Sequence, residues 1–177
     1  MNDEINDQLL KAVLSSDEVT VLLEDIFGVG IAPIVLYQGE PRIYPQEVSK
    51  YFSSKDILQR DIRIKAPCGE RGADKTVLFA RSWLAMNAFD KRFREFIHEK
   101  KMTLGHIIKK RRLAAEYRNI DLKEVRSKKL SAIFEARGTI RLIRRSRMIL
   151  IEKNPVILIH EYIPKSPKAD SRKLFQR

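Results

Sequence analysis

The segment from Ile143 to Pro164, IRRSRMILIEKNPVILIHEYIP, leaves this chain little choice of architecture. Residues 148–151 and 156–159 are β-branched and aliphatic, and the polar stretch Glu152-Lys153-Asn154-Pro155 separates them. Short apolar runs around a polar turn predict a β-hairpin with a largely buried body. Side chains alternate faces along a strand. Ile157, Ile159, Glu161 and Ile163 therefore share one face of the second arm, and Val156, Leu158, His160 and Tyr162 share the other. A carboxylate thus stands in line with isoleucines. Desolvating a lone charge costs several kcal/mol, so charged groups go inside only when paired. If that face is core, Glu161 has a cationic partner or faces a ligand.

A second alternation, Leu58-Gln59-Arg60-Asp61-Ile62-Arg63-Ile64-Lys65, puts Leu58, Arg60, Ile62 and Ile64 on one face. It predicts that Gln59, Asp61, Arg63 and Lys65 face water. Arg60 interrupts an apolar face as Glu161 does. Two readings fit both residues: a structural role, as strand ends reaching solvent or as an ion pair, and a ligand site, where charges on core faces concentrate. In the ligand reading they stand on opposite sides of the ligand without touching. Residues 76–84 form a further strand, antiparallel to the Arg60 strand, on which Val77, Phe79, Arg81 and Trp83 share a face. Arg81 either joins the site or runs its apolar stem past Trp83 to water.

Helices precede and separate these strands. Ile5, Leu9, Leu10, Val13 and Leu14 make one face of a first helix. Ser15 with Glu18 suggests a capping box for a second, in which Val19, Leu22, Leu23, Ile26 and Phe27 recur at helical spacing before Gly28. Residues 31–36 read as a strand whose Pro33 marks an edge or a start, and residues 45–54 as irregular or briefly helical. Asn87 offers a cap to a helix carrying Phe89, Phe93, Phe96 and Ile97. Thr103-Leu104-Gly105 opens a shorter helix whose first amides could meet an anion. Residues 116–125 read as strand and 127–136 as helix. Grouped helices and sequential hairpins predict an α+β fold with an antiparallel sheet.

Composition narrows the function. The chain of 177 residues holds 44% hydrophobic residues, enough for one globular domain, taken as 1–177 with an N-terminal helical segment 1–18 and a basic, frayed tail 165–177. No apolar run approaches the roughly 18–20 residues that span a bilayer, and the acidic start lacks a signal-peptide layout. One cysteine, Cys68, permits no internal disulfide and suits a cytoplasmic setting. Three scattered histidines give no metal-ligand spacing. The net charge of +12 attracts anions without naming one.

Leu22-Leu23-Glu24-Asp25, Leu58-Gln59-Arg60-Asp61-Ile62, Thr103-Leu104-Gly105, Arg144-Arg145-Ser146-Arg147 and residues 156–164 stand in the order and rough spacing of one family. On these motifs the chain resembles the chorismate pyruvate-lyases, which open the ubiquinone pathway, from about residue 19 to 164. The resemblance implies a single six-stranded antiparallel sheet with helices at one side and a buried internal pocket. It implies elimination of pyruvate from chorismate to give 4-hydroxybenzoate, with no cofactor and no metal. It assigns Arg60 to a substrate carboxylate and Glu161 to the ring hydroxyl, both as catalytic residues. Phe27 and Leu104 line the pocket, partly through backbone amides, and Arg81 matches a family arginine. The expected partner is a small anionic aromatic or cyclohexadiene compound, with no membrane and no specific nucleic acid.

Two other classes compete. The same fold serves as the effector-sensing (UTRA) domain of bacterial regulators, which bind small molecules without turnover. Those carry a DNA-binding domain, for which the segment before residue 19 is short. A nucleic-acid-binding protein rests on charge alone, chiefly the Lys109-Lys110-Arg111-Arg112 run, whose simpler reading is a solvated helix face.

Overall fold

The computed structural model describes residues 10–52, 55–67 and 73–165. Cys68, Ile5, Leu9 and the basic tail beyond residue 165 lie outside the described residues. Six strands form one antiparallel sheet: β1 (Ile34–Gly39), β2 (Ile57–Ala66), β3 (Lys75–Ala85), β4 (Ala115–Ser127), β5 (Ile140–Ile151) and β6 (Asn154–Pro164). Their order across the sheet is β1-β2-β3-β6-β5-β4. The expected hairpin β5–β6 therefore supplies two inner strands, and β3 against β6 is the long-range pairing. β1 begins immediately after Pro33 and is an edge, as a proline without an amide donor requires.

The register sorts the side chains into two faces. Arg60, Ser82, Ile159 and Arg147 form one row across β2, β3, β6 and β5, and Ile62, Ala80, Glu161 and Arg145 form the next. Helices cover this front face: α1 (residues 10–15), α2 (Val19–Phe27), α4 (Lys91–Glu99) and α5 (Leu104–Lys110). Leu10, Val13, Val19 and Leu23 pack on Ile64, Leu78, Ile143 and Ile163, while Phe93, Ile97 and Ile107 pack on Leu84, Ile149 and Ile157. Helices of nine and seven residues are marginal alone. Each fully buried Ile or Phe on them contributes about 1.5–3 kcal/mol, and that holds them. The short α3 (Gln46–Tyr51) lies behind the sheet, where Val48 and Phe52 cover Trp83, Met148 and Leu158.

Several local expectations change. α4 is capped by Asp90, whose carboxylate accepts from the Phe93 amide at 2.7 Å, and Asn87 sits in a separate 3-10 turn, Met86–Ala88. Phe89 then stacks on Phe93 with ring centroids 4.0 Å apart, which fixes the entry of the chain. The capping box for α2 is not formed, because the Ser15 hydroxyl donates back to Ala12 O at the end of α1. Residues 128–135 are successive turns and not a helix. Ser127 Oγ accepts from the Leu130 amide as a helix cap would, but the backbone bonds that follow mix spacings of three, four and five residues, and Glu135 turns left-handed at φ of 55°. Lys165, expected in the frayed tail, is anchored instead. Its amide donates to Arg141 O at 3.0 Å and its Nζ to Glu124 at 2.8 Å.

The back face is not the wet surface that the β2 alternation predicts. Gln59 and Asp61 are buried. The 40–45 loop folds over them: Gln59 Oε1 accepts from the Arg42 and Ile43 amides, and Trp83 Nε1 donates to Ile43 O. Asp61 receives a two-pronged contact from Arg81 at 2.6–3.1 Å. His160 lies against Trp83, edge to face, among Arg144, Arg81, Glu47 and Asp121. Burial brings its pKa from 6.5 down to about 4.

Two measurements follow from this architecture. The turn between β5 and β6 holds Glu152 and Lys153 at φ of 52° and 66°, the left-handed pair of a type I′ turn. Glu152→Asn with Lys153→Gly should raise stability by about 1 kcal/mol in urea unfolding. His160 binds its proton near pH 6.5 when unfolded and near 4 when folded, so the unfolded state holds more protons between those values. Stability is full above about pH 6.5 and should fall by about 3 kcal/mol as pH drops toward 4. His160→Gln should flatten that slope.

Candidate functional site

A cavity lies between the front of the sheet and the helices. Arg60, Ile62, Ala80 and Ser82 line it on one side, and Ile159, Glu161, Arg147 and Tyr117 on the other. The 17–21 segment and the first turn of α5, with Leu104, close it above. The small side chains of Ala80 and Ser82 leave the space.

Arg60 is wholly buried, with 0% of its surface exposed. Its Nη2 donates to Met102 O at 2.8 Å, while Nε and Nη1 have no partner. No carboxylate pairs with it among the described residues. Burial lowers its pKa to about 10, an effect that no neighbouring charge offsets. A guanidinium in this state keeps two donors open, and the planar fork of an arginine suits a carboxylate through two hydrogen bonds.

Glu161 does not pair with Arg60. Its Oε2 accepts from Arg145 Nε at 2.8 Å and its Oε1 from Arg147 Nη2 at 3.0 Å. Burial alone would raise its pKa, but the guanidiniums of Arg147 and Arg145 outweigh it and hold Glu161 below the usual carboxylate range. Arg145 shows the other side of that balance, its pKa lowered because burial exceeds the attraction of Glu161. The two arginines also brace the covering segment. Arg145 Nη1 donates to the carbonyls of Leu14 and Ser16, and Arg147 Nη1 to those of Ser16 and Asp17. These carbonyls sit at and just beyond the end of α1, where a helix carries negative partial charge.

Around the cavity the buried charge among the described residues is thus unequal: Arg60, Arg145 and Arg147 stand against Glu161, while buried Asp61 lies on the other face with Arg81. Asp17 and Glu18 also border the cavity but are exposed, so water screens them. The cavity offers positive potential, a carboxylate fixed in its charged form, and apolar walls. Tyr117 adds an aromatic wall under Arg147, whose guanidinium lies 5.3 Å from the ring centre.

Of the residues singled out in the sequence, Arg60, Glu161 and Leu104 meet at this cavity. Phe27 does not border it. It ends α2 and packs beside the Leu23 and Ile64 cluster, roughly 12 Å along the helix from Val19, whose turn faces the cavity instead. Arg81 lies on the opposite face, occupied by Asp61. Its hydrogen bonds to the Asp61 carboxylate, which accepts them, raise its pKa, the mark of a satisfied structural pair. α5 has seven residues, with Thr103 Oγ1 accepting from the His106 amide, so it adds Leu104 as a wall and not a free helix end. Arg145, Arg147 and Tyr117 were not assigned a role from the sequence. Alternation along β5 puts Arg145, Arg147 and Ile149 on one face, and pairing with Glu161 was the signal that could have found them.

No group of three or more metal-ligating side chains occurs among the described residues. No helix among the described residues is long and apolar enough to cross a membrane.

Glu161→Gln should therefore be costly for the fold, because it leaves two buried guanidiniums uncompensated. The expected loss is about 3–5 kcal/mol in chemical denaturation. A variant of wild-type stability would show that the helix-end carbonyls alone neutralise Arg145 and Arg147.

The structure resembles PhnF of Mycobacterium smegmatis, at 13% identity and a TM-score of 0.61, covering 85% of this chain and 65% of that one. The effector domain of the same PhnF gives 12% identity and a TM-score of 0.58, covering 82% of this chain and 86% of that one. The ligand-binding domain of a putative GntR-family transcriptional regulator from Bordetella bronchiseptica gives 14% identity and a TM-score of 0.55, covering 75% and 88%. Identities this low establish the shared fold. No curated protein matches by sequence. The family model described as chorismate pyruvate-lyase Rv2949c-like matches residues 29–169.

Proposed function

The chain belongs to the Rv2949c-like chorismate pyruvate-lyase family, and on that premise we propose that it eliminates pyruvate from chorismate to leave 4-hydroxybenzoate. The observation that carries the reading is Arg60, a fully buried cation with two unpartnered nitrogens on a cavity wall. A carboxylate on a flat six-membered ring meets that fork in two hydrogen bonds.

The chemistry asks little beyond orientation and charge placement. The ether bond between ring and enolpyruvyl oxygen breaks, and the ring carbon bearing the hydroxyl loses its hydrogen as a proton. The released enolpyruvate takes up a proton and becomes pyruvate. The ring becomes aromatic, so the reaction runs downhill. Arg60 holds the ring carboxylate. Glu161, kept ionised by Arg145 and Arg147, accepts a hydrogen bond from the ring hydroxyl and fixes the ring. Its depressed pKa makes it a weak base, so its part is positioning and electrostatic. Apolar walls at Ile62, Leu104, Ile149 and Ile159 exclude water and strengthen both contacts. The single Cys68 agrees with a reducing, cytoplasmic setting for this reaction.

A second reading has its own support. The structural neighbours are an effector domain and a ligand-binding domain, so the cavity would bind an aromatic carboxylate without converting it. Incubation with chorismate separates the two: pyruvate and 4-hydroxybenzoate should appear in equal amounts, and binding without release would favour the sensor.

Arg60→Met should weaken 4-hydroxybenzoate binding by about 1.5–3 kcal/mol and abolish most turnover. Because Arg60 has no carboxylate partner, an apolar side chain of similar length should leave the melting temperature unchanged or raise it. A large drop in melting temperature with ligand binding intact would make Arg60 scaffold and remove it from the site.

A further inference from the structure

The proposed reaction uses Arg60 and Glu161 and leaves Arg147 as their brace alone. The geometry gives it more to do. Arg60 and Arg147 stand at the two ends of one row across four strands, with Ser82 and Ile159 between them. At about 4.8 Å per strand, their backbones are roughly 14 Å apart. Two long side chains rising from the ends of that row leave room between the guanidiniums for one small ring. Ser82, with Ala80 in the next row, keeps the floor beneath it low.

Arg147 is only partly engaged. Its Nη1 meets the Ser16 and Asp17 carbonyls and its Nη2 meets Glu161, while its buried Nε–H has no partner. Arg145 likewise keeps one nitrogen, Nη2, without a partner among the described residues, but it does not border the cavity. Asp17 approaches Arg147 at 3.7 Å, but that carboxylate is 68% exposed and well hydrated. Arg147 is thus a second cation bordering the cavity with a donor to give, at the end opposite Arg60.

We propose that Arg147 receives a second carboxylate, so that the cavity selects ring compounds carrying two anionic groups over those carrying one. Arg60 takes the carboxylate on the ring, and Arg147 takes one on a short side arm. This rests on the reading that the cavity binds such a ring through Arg60, and it is independent of whether the compound is then converted.

Calorimetric titration with a stable diacid tests it. The probes are 3-(carboxymethoxy)-4-hydroxybenzoate and the methyl ester of its side arm, which removes the second charge alone. The wild-type chain should bind the diacid at least about tenfold more tightly than the ester. Arg147→Gln should erase that preference, diacid and ester then binding within about threefold of each other. Arg147→Lys, which keeps the charge and a donor, should retain part of the preference and serves if the glutamine variant does not fold. Equal affinity of wild type for the two probes would overturn the proposal, and so would a preference that persists in Arg147→Gln. Diacid selectivity without conversion of chorismate would sink the lyase reading and leave the role of Arg147 standing. Conversion of chorismate without selectivity for the second carboxylate would do the reverse.

Discussion

Under the 14–18 segment, three charged side chains stand on adjacent rows of the sheet: Arg145, Glu161 and Arg147. Bringing them out of water costs several kcal/mol per ion, and their attraction offsets this only with good geometry and every remaining donor satisfied. The antiparallel register supplies the geometry by setting Arg145 directly opposite Glu161 and Arg147 one row along. The end of α1 supplies acceptors, since its last carbonyls have no partner within the helix. The match is incomplete, because Arg145 Nη2 and Arg147 Nε keep no partner among the described residues. These contacts add to the packing of Leu10 and Val13 in holding the N-terminal segment on the sheet, and residues 17–21 of that segment line the cavity.

The two faces of the sheet show how a satisfied charge differs from a waiting one. Behind it, Arg81 and Asp61 meet through several short hydrogen bonds, and the pairing raises the arginine's pKa. In front, Arg60 has a single carbonyl for company and burial lowers its pKa to about 10. Both are arginines on apolar strands. Their environments differ by one carboxylate, which leaves one fork satisfied and the other with open donors.

That distinction was half legible in the sequence. Strand alternation is local, so the faces of β2 and β6, and the intrusion of Arg60 and Glu161 on them, could be read directly. Partners across the sheet are not local. Arg145 stands sixteen positions before Glu161, and nothing in the spacing of either strand announces that they face each other until the hairpin register is known. The wet face expected for Gln59 and Asp61 failed for a related reason, because the 40–45 loop that covers them shows no periodicity. Residues 128–135 have helical spacing, but their backbone bonds mix three-, four- and five-residue steps before Glu135 turns left-handed, which an apolar pattern does not register. Phe27 fits the helical stripe and packs as core; its distance from the cavity is a matter of which end of α2 faces inward.

The kinship of this fold with ligand-binding domains of regulators follows from the same physics. Eliminating pyruvate from chorismate yields an aromatic ring and needs no redox step, so a protein that already binds a ring carboxylate in a closed apolar cavity is close to being a catalyst. What separates the two is not a new element of structure but where charge is fixed. A sensor needs enough cation to hold its ligand. A lyase needs, in addition, a field that favours the electrons moving onto the departing enolpyruvyl oxygen. Arg147, bound to Glu161 and to backbone carbonyls, is too constrained to follow a ligand, and that rigidity is what a preorganised field requires. On the proposed reading, a cation at the far end of the Arg60 row would serve binding and turnover with one side chain, at the cost of an Nε–H left without a partner among the described residues.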